Sequence, residues 1–171
     1  MTEALAEARK AAAADEIPVG AVLVLDQRVV ARAHNLTEKS QSPLAHAELL
    51  CLQEAAAELG AWRLMGACLY TTLEPCPMCA GAILQARLKS LVYGARSSRL
   101  GADGSWIALL PGSSSNGQSA KCHPFHLDLE VHGGILASQS AVLLKDFFKA
   151  RRRRPLTRPC ALHAMDISSI R

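Results

Sequence analysis

The sequence predicts an α/β protein, a three-layer α/β/α sandwich around a mixed, largely parallel sheet of five strands. Apolar runs of strand length alternate with segments of helical periodicity, in the order α β β α β α β β α. A connection of about thirty residues precedes the fifth strand, which is long enough to bring the chain back parallel to the fourth. Half of the 171 residues are apolar, so one domain can bury a core without disulfide bonds.

The first half of the chain contains a predicted helix, a β-hairpin and a second helix. Residues 3–14 are strong helix formers with acidic residues ahead of basic ones, which suits the helix dipole. Leu5 is their only large apolar side chain, so we expect thin packing for this helix. Residues 17–26 and 28–35 are β-branched runs typical of a two-stranded hairpin. Residues 45–59 repeat leucines at helical spacing, and a glycine follows where the helix is expected to end.

Three strands and two helices are predicted in the second half. Pro75 closes the third strand, and Pro77 suits the first turn of the next helix because proline there gives up an amide that has no partner. The predicted bounds are 67–74, 90–96 and 127–133 for the strands, and 77–87 and 138–153 for the helices.

Two segments are expected to lack regular structure. The connection before the fifth strand includes the Gly/Ser-rich residues 111–121, which predict a mobile loop. Residues 155–171 begin with a helix-stopping proline, and we expect a disordered tail. Residues 1–154 therefore form the predicted single domain.

Cysteine use and hydropathy argue against a secreted or membrane protein. The six cysteines, at positions 51, 68, 76, 79, 122 and 160, lack the spacing of a disulfide framework, and no secretory signal is recognisable. We expect a reducing compartment, with the thiols free or bound to metal. The longest apolar runs fall far short of the roughly 20 residues that a membrane helix needs.

The positive charge is concentrated at the end of the chain. Residues 145–171 carry a net charge of +6, whereas the whole chain carries +4. Such a cluster is typical of a surface that binds phosphates or anionic lipid headgroups. Taken alone, a solvated helix end is the simpler explanation of the same residues.

Cys76-Pro77-Met78-Cys79 predicts either metal binding or thiol redox chemistry. The two cysteines flank the start of a predicted helix, where free amides and the positive dipole end favour thiolates. A Cys-x-x-Cys pair after a strand is also typical of a redox dithiol. A structural zinc site needs a fourth ligand, which Cys51, Cys122 and Cys160 are poorly placed to supply. With His46 there are three protein ligands, the usual number at a catalytic zinc.

Glu48 separates these hypotheses. A carboxylate two residues after a metal-binding histidine can take a proton from water and return it to a substrate nitrogen. Neither a redox dithiol nor a structural zinc site needs such a group. His46 and Cys76 would each open a helix at the carboxyl ends of strands, where ligands bind in open α/β sheets. The residues therefore favour a catalytic metal site.

The same residues resemble a known family. His-Ala-Glu at 46–48 and Pro-Cys-Pro-Met-Cys at 75–79 are similar to the signature of zinc nucleobase deaminases. The similarity continues through IPVGAVLV, LYTTLEPCPMCAGAIL, VYGAR and GGILASQSAVLLKDFFKARRRR, and covers nearly all of residues 16–154. These stretches resemble the bacterial and plastid tRNA adenosine deaminases, which convert the wobble adenosine of tRNA to inosine. The resemblance implies a cytidine deaminase-like fold.

The resemblance assigns roles at the metal site. It implies that His46, Cys76 and Cys79 hold one zinc ion per subunit. It also implies that Glu48 shuttles the proton as hydroxide attacks C6 of adenine and ammonia leaves.

The resemblance also points to residues that meet the target nucleoside. Asn35 matches a family asparagine that contacts it, although from the sequence alone a turn residue is the simpler explanation. Ala47 and Pro75 are expected to line the pocket. Ser97 stands where many bacterial members carry an aspartate that touches the neighbouring ribose, so that contact is not expected in this chain.

The last helix is expected to meet the RNA. The family uses an aromatic residue here against the anticodon loop, which points to Phe148, while core packing is expected for at least one of Phe147 and Phe148. Arg151 and Arg152 then become phosphate contacts. The implied partner is the anticodon stem-loop of a tRNA.

The resemblance further implies a homodimer whose sites are completed by the neighbouring chain, in a bacterial cytoplasm or in the plastid stroma. Two other functions stay open at this point. One is deamination of a free nucleobase or nucleoside of guanine or cytosine type, which leaves the arginine run unexplained. The other is an inactive, zinc-stabilised subunit that binds RNA, which leaves Glu48 without a role.

Overall fold

The computed structural model describes residues 1–115, 118–119, 126 and 128–153, and the predicted tail at 155–171 lies outside them. Along the described residues run α1 Thr2–Ala13, β1 Gly20–Leu25, β2 Arg28–His34, α2 Ala47–Leu59, β3 Cys68–Leu73, α3 Pro77–Ala86, β4 Ser90–Ala95, β5 Ser114–Ser115, β6 Gln118–Ser119, β7 Glu130–His132 and α4 Ala137–Arg152. Each predicted helix is present. The short β5–β6 hairpin lies where we expected a loop.

The five predicted strands form one mixed sheet in the order β2-β1-β3-β4-β7. Strand β1 pairs antiparallel with both β2 and β3, whereas the pairs β3–β4 and β4–β7 are parallel. The predicted fold class and the parallel return of the last strand are therefore confirmed. Half of the pairings are antiparallel because the first hairpin inserts β1 between β2 and β3.

The main core lies between the sheet and the helix pair α2 and α3. Leu23, Leu69 and Leu91 project from three neighbouring strands and are fully buried, as is Ile83 of α3. Helices α1 and α4 also contact the sheet and each other. Within the described part of the chain, none of the helices is both long and apolar enough to span a membrane.

Helix α1 packs on the sheet through small side chains. Its inward face consists of Ala4, Ala8 and Ala11, all fully buried, together with Leu5. The expectation of thin packing is wrong, because alanines allow the helix backbone to approach β1 closely. At Gly20 a Cβ would collide with the backbone of Ala4 and Ala8.

We expect Gly20→Ala to lower the free energy of unfolding by about 3 kcal/mol, the upper end of the usual cost of overpacking. The cost is high because helix backbone, and not a flexible side chain, must move. Urea denaturation followed by circular dichroism measures it. The matched control is Gly81→Ala on α3, since beyond the adjacent residues and the helix's own backbone no atom of the described residues lies within 4 Å of the new Cβ. There we expect a gain of up to about 1 kcal/mol, and equal destabilisation of both variants would contradict the close packing of α1.

Candidate active site

Three strands end at one edge of the sheet. The register pairs Leu73 at the end of β3 with Ala95 at the end of β4. It also places His34, at the end of β2, opposite Gly20 at the start of β1. Since β1 runs antiparallel to β3, the carboxyl ends of β2, β3 and β4 lie together. This edge is where ligands bind in open α/β sheets.

Two helices begin at this edge, and each starts with a side chain that can bind metal. His46 is the N-cap of α2, and Cys76 is the N-cap of α3, where Pro77 takes the first helical position. Cys79 lies on the first turn of α3 and is fully buried. N-cap residues lie beside helix amides that have no intrahelical partner. Both thiols and the imidazole therefore sit at positive helix ends.

The three side chains are close enough to share one ion. The Nδ1 atom of His46 lies 3.7 Å from Sγ of Cys76 and 3.5 Å from Sγ of Cys79. The potential ligand atoms all lie within 4.8 Å of one another. Tetrahedral zinc with its usual bond lengths separates nitrogen and sulfur ligands by about 3.6 Å. Among the described residues no fourth His, Cys, Asp or Glu joins the group, so it fits an ion with three protein ligands.

The charges in the cluster suit a cation. The hydrogen bond with Cys79, aided by His46, lowers the pKa of the Cys76 thiol to about 4, which makes it a thiolate, the form that binds metals. The hydrogen bond with Cys76, together with burial, raises the pKa of the Cys79 thiol. The same thiolate raises the pKa of His46. The cluster therefore holds protons that a bound metal ion would displace.

Glu48 lies beside this cluster on the first turn of α2. Its side chain is buried, and burial raises the pKa of its carboxyl group. Its charge is close enough to the cluster that it contributes to raising the pKa values of His46 and Cys79. The fold thus places a group that can transfer protons near the three side chains of the candidate metal site.

Asn35 follows β2 at the same edge. Its backbone N–H donates to the carbonyl of Val19 at 3.0 Å, and the next residue, Leu36, donates to the carbonyl of Ala45 at 3.0 Å. Because Ala45 precedes His46, these bonds hold Asn35 close to the start of α2. Its side chain is only 4% exposed. Asn35 is therefore a buried residue near the start of α2, the helix that His46 caps.

Ala47 and Pro75, the two expected pocket residues, occupy different environments. Ala47 is fully buried between His46 and Glu48, and its N–H is one of the helix-start amides that lack an intrahelical partner. Pro75 is also buried, and its carbonyl accepts the N–H of Ala102 at 2.9 Å. Pro75 therefore anchors the loop that follows β4.

Glu74 organises that same loop. It is 2% exposed, and its carboxylate accepts the backbone N–H groups of Ser97 and Asp103, each at 2.9 Å. The hydroxyl of Ser105 also donates to it. The loop after β4 thus folds around a buried carboxylate two residues before Cys76 of the candidate metal site. The N–H of Ser97, where the family aspartate is missing, is held by this carboxylate.

The sequence and fold match proteins of known activity. The profile of the MafB19-like deaminase family matches residues 1–152. A tRNA-specific adenosine deaminase from Bacillus subtilis is 44% identical over 154 residues, which cover 90% of this chain and 89% of that protein. The chain belongs to the tRNA-specific adenosine deaminase family. The resemblance found in the sequence is confirmed.

Two further proteins extend the comparison within the tRNA-specific adenosine deaminase family. The chloroplastic tRNA(adenine(34)) deaminase of Arabidopsis thaliana is 51% identical over 157 residues, which cover 88% of this chain but only 12% of that protein. A structure solved in a study of A-to-I editing by tRNA:A34 deaminases at the wobble position is 42% identical, with a TM-score of 0.70. The matched region covers 84% of this chain and 97% of that one.

Helix α4 of this family member exposes most of its surface. Ser140 is its one buried residue among those described. The rings of Phe147 and Phe148 meet edge to face with their centroids 5.4 Å apart. Phe147 is half-buried, whereas Phe148 is 40% exposed. Phe148 therefore presents an aromatic surface to solvent, and Phe147 is the inward member of the pair.

Arg151 and Arg152 differ in their surroundings. The guanidinium of Arg151 pairs with the carboxylate of Glu38, with Nη2 2.6 Å from Oε2, and stacks 5.6 Å from the ring centroid of Phe147. Arg152 is exposed. Since Glu38 lies between Asn35 and the start of α2, the ion pair ties the end of α4 to the edge that carries the candidate metal site. Arg154, at the end of the basic run, lies outside the described residues.

Sequence reasoning missed three carboxylates at this edge, Glu16, Glu38 and Glu74. Their partners are distant in the chain: Glu38 meets a residue 113 positions away, and Glu74 meets residues 23 to 31 positions away. Only Glu16 has a signal in the sequence, an acidic residue directly before the apolar run that forms β1. None of the three belongs to the His-x-Glu or Pro-Cys-x-x-Cys motif of the tRNA-specific adenosine deaminases, although Glu74 directly precedes the second motif.

Proposed function

We propose that this chain hydrolyses the 6-amino group of the wobble adenosine of a tRNA, leaving inosine. The observation that carries the proposal is the buried Glu48 beside three clustered ligands, in a chain 44% identical to a tRNA-specific adenosine deaminase over 90% of its length. In the reaction the C6–N bond breaks, a C6–O bond forms, one water is consumed and ammonia is released.

Zinc is the ion that we propose for the His46, Cys76 and Cys79 site, one per chain, because two sulfur ligands and an imidazole favour it. When bound, it lowers the pKa of water and makes hydroxide available at neutral pH. Glu48 accepts the proton that the attacking water gives up and returns it to a substrate nitrogen. The burial of Glu48 limits the loss of that proton to solvent.

We propose substrate contacts for residues at the same edge and on α4. The amide of Asn35 bonds to the target nucleoside, and Ala47 and Pro75 line the pocket that receives the flipped adenine. Phe148 stacks on a base of the anticodon loop, a contact worth about 1–3 kcal/mol. Arg151 and Arg152 face the phosphates. Arg151 also pairs with Glu38, whereas Arg152 is exposed and forms no ion pair among the described residues.

Incubation of zinc-loaded protein with a tRNA that has adenosine at the wobble position tests the reaction. We expect inosine at that position, detected as an A-to-G change after reverse transcription and sequencing. The absence of inosine would contradict the proposal. Ammonia release from guanine, cytosine or their nucleosides would then indicate a small-molecule deaminase. Tight RNA binding without turnover of any of these substrates would indicate an RNA-binding subunit.

We also propose that two copies of the chain form the working enzyme, in a bacterial cytoplasm or in a plastid, as the family resemblance implies. Leu44, Trp62 and Met65 are each more than half exposed, which supports the burial of apolar surface against a second copy. Light scattering coupled to size-exclusion chromatography measures the mass in solution, and a monomer at micromolar concentration would contradict the homodimer.

We expect Arg152→Ala to weaken binding of an anticodon stem-loop RNA. The plot of the logarithm of the association constant against the logarithm of the salt concentration should become less steep by about 0.7, the value for one phosphate contact on a single strand. For Arg151→Ala we expect a smaller decrease, because Glu38 already neutralises part of its charge. Fluorescence anisotropy titrations at several salt concentrations measure both slopes.

Arg28→Ala is the matched control for these two variants. Arg28 is exposed in the β1–β2 hairpin, at the edge of the sheet opposite the ligand cluster. We expect its removal to leave the slope unchanged. A slope that changes as much for Arg28→Ala as for Arg152→Ala would contradict α4 as the RNA contact.

A further inference from the structure

We propose that Glu16 is a positioning residue for Asn35, because its carboxylate determines which end of the Asn35 amide is presented to the substrate. The inference rests on the proposed function, in which Asn35 contacts the target nucleoside. It adds a specificity-determining group that lies outside the His-x-Glu and Cys-x-x-Cys motifs.

Glu16 and Thr37 hold the two ends of the Asn35 amide. Glu16 lies between α1 and β1 and is 1% exposed. Its Oε2 atom accepts a hydrogen bond from Nδ2 of Asn35 at 3.1 Å, and its Oε1 atom accepts the backbone N–H of Lys39 at 2.6 Å. The hydroxyl of Thr37 donates to Oδ1 of Asn35 at 3.3 Å. The backbone of Asn35 is fixed separately, through Val19.

An asparagine amide has two ends of nearly the same shape and opposite hydrogen-bonding chemistry. A half-turn of its terminal torsion exchanges Oδ1 with Nδ2. Thr37 does not choose between the two orientations, because a hydroxyl can donate to oxygen or accept from nitrogen. An ionised carboxylate only accepts, so only the nitrogen end can face Glu16. Glu16 is therefore the group that sets the orientation.

The remaining bonding capacity of Asn35 is what a substrate meets. The two bonds use one hydrogen of Nδ2 and one lone pair of Oδ1, and an amide has two of each. One donor and one acceptor thus remain, in an order set by Glu16. A nucleoside edge that needs them in this order finds them already arranged, which avoids the cost of ordering the side chain on binding.

The burial of Glu16 supports a role beyond filling space. Among the described residues no lysine, arginine or histidine forms an ion pair with it. Its described hydrogen-bond partners, Asn35 and the backbone of Lys39, are both neutral. Burial of a carboxylate with neutral partners costs free energy that an apolar side chain in this place would not cost. The acceptor-only chemistry is therefore the property that distinguishes Glu16 at this position.

Glu16→Gln tests the inference, because glutamine keeps the shape but has one accepting and one donating end. Asn35 and the backbone of Lys39 both donate, so the glutamine can satisfy only one of them. We expect kcat/KM for tRNA deamination to fall about tenfold, the usual effect of a lost hydrogen bond, and mainly through KM. Glu58→Gln, at an exposed position on α2, is the matched control and should have no effect.

A double-mutant cycle with Asn35→Ala separates positioning from a structural role. If Glu16 acts through Asn35, adding Glu16→Gln to Asn35→Ala changes kcat/KM by less than about twofold. A further loss of about tenfold in the double variant would show that Glu16 acts independently of Asn35 and would overturn the inference. Full activity of the single variant Glu16→Gln would overturn it as well.

The double variant Glu16→Gln with Asn35→Asp, in which the acid and the amide change places, tests the inference even if Glu16→Gln alone does not fold. Here the glutamine accepts from Lys39 and donates to the new aspartate, so the network is complete again. We expect this double variant to be as thermally stable as the wild type. We expect its kcat/KM to be as low as that of Asn35→Ala, because the substrate now meets only hydrogen-bond acceptors. Wild-type activity of this double variant would show that the network is only structural.

A nuclear magnetic resonance measurement separates this inference from the proposed function. The side-chain NH₂ signals of Asn35 are assigned by their loss in Asn35→Ala. We expect Glu16→Gln to shift these signals, because the bond from Nδ2 to a carboxylate is lost. Unchanged signals would overturn the inference whatever the activity. Shifted signals in a protein whose wild type forms no inosine would instead refute the proposed function and leave the role of Glu16 in orienting Asn35 intact.

Discussion

Glu48→Gln is expected to lower kcat for inosine formation by about 10²- to 10⁴-fold, the range for loss of a general acid–base group. Glutamine has nearly the same shape and can still form a hydrogen bond, so the buried site keeps its packing. It cannot take a proton from the attacking water or return one to the leaving nitrogen. Single-turnover kinetics with an excess of enzyme over tRNA measure the chemical step directly.

Metal content and a matched variant complete this experiment. Because the proposed ligands His46, Cys76 and Cys79 are unchanged, we expect Glu48→Gln to hold as much zinc as the wild type. Glu54→Gln, an exposed position on the same helix, should keep full activity. A Glu48→Gln variant with more than about a tenth of the wild-type kcat would exclude Glu48 as the proton carrier, since the expected loss is at least about 10²-fold.

Cys79→Ser is expected to remove both the metal and the activity. Cys79 is fully buried and its Sγ lies 3.5 Å from Nδ1 of His46, so no solvent ligand can easily take its place. A neutral hydroxyl is a much poorer zinc ligand than a thiolate. By the proposed zinc binding, we expect the wild type to gain about 4 kcal/mol of stability when free zinc exceeds its dissociation constant 1,000-fold. The variant should lose this gain.

Elemental analysis and thermal unfolding with and without added zinc measure these effects. Cys51→Ala is the matched control, because Cys51 is equally buried but its thiol bonds to the carbonyl of Ala31, and burial raises the pKa of this thiol to about 12. We expect Cys51→Ala to keep the metal and the zinc-dependent gain in stability. A Cys79→Ser protein with full zinc content would contradict the proposed ligand set.

The elements of the fold follow from short-range patterns that a single sequence displays. The alternation of apolar runs with helical periodicity predicts every helix and the five strands of the main sheet, because burial on one face imposes a period on each element. The bounds are less well determined, and the last strand begins at Glu130, three residues after the predicted start. Small side chains misled the prediction for α1, where alanines and Gly20 together permit close packing.

The candidate metal-binding residues are also visible in the sequence, because two of them are neighbours on one helical turn. Cys76 and Cys79 are brought together by one helical turn, and Pro77 marks where that turn starts. The meeting of these cysteines with His46 requires two helices to begin at one edge of the sheet, and the strand order determines that edge. In the sequence, His46 and Glu48 stand out only for a chemical reason, because a carboxylate beside a metal-binding histidine can transfer protons.

The sequence by itself determined the class of fold, the family and the candidate metal-binding residues, because these depend on periodicity and on motifs a few residues long. Only the tertiary structure decided which carboxylates are buried and what they hold. Glu16 reaches Asn35, Glu74 reaches the loop after β4, and Glu38 reaches Arg151 on α4. These contacts exist because β1 lies between β2 and β3, which brings the strand ends together. The pairing of strands that are distant in the chain depends on the whole sequence, and no local pattern encodes it.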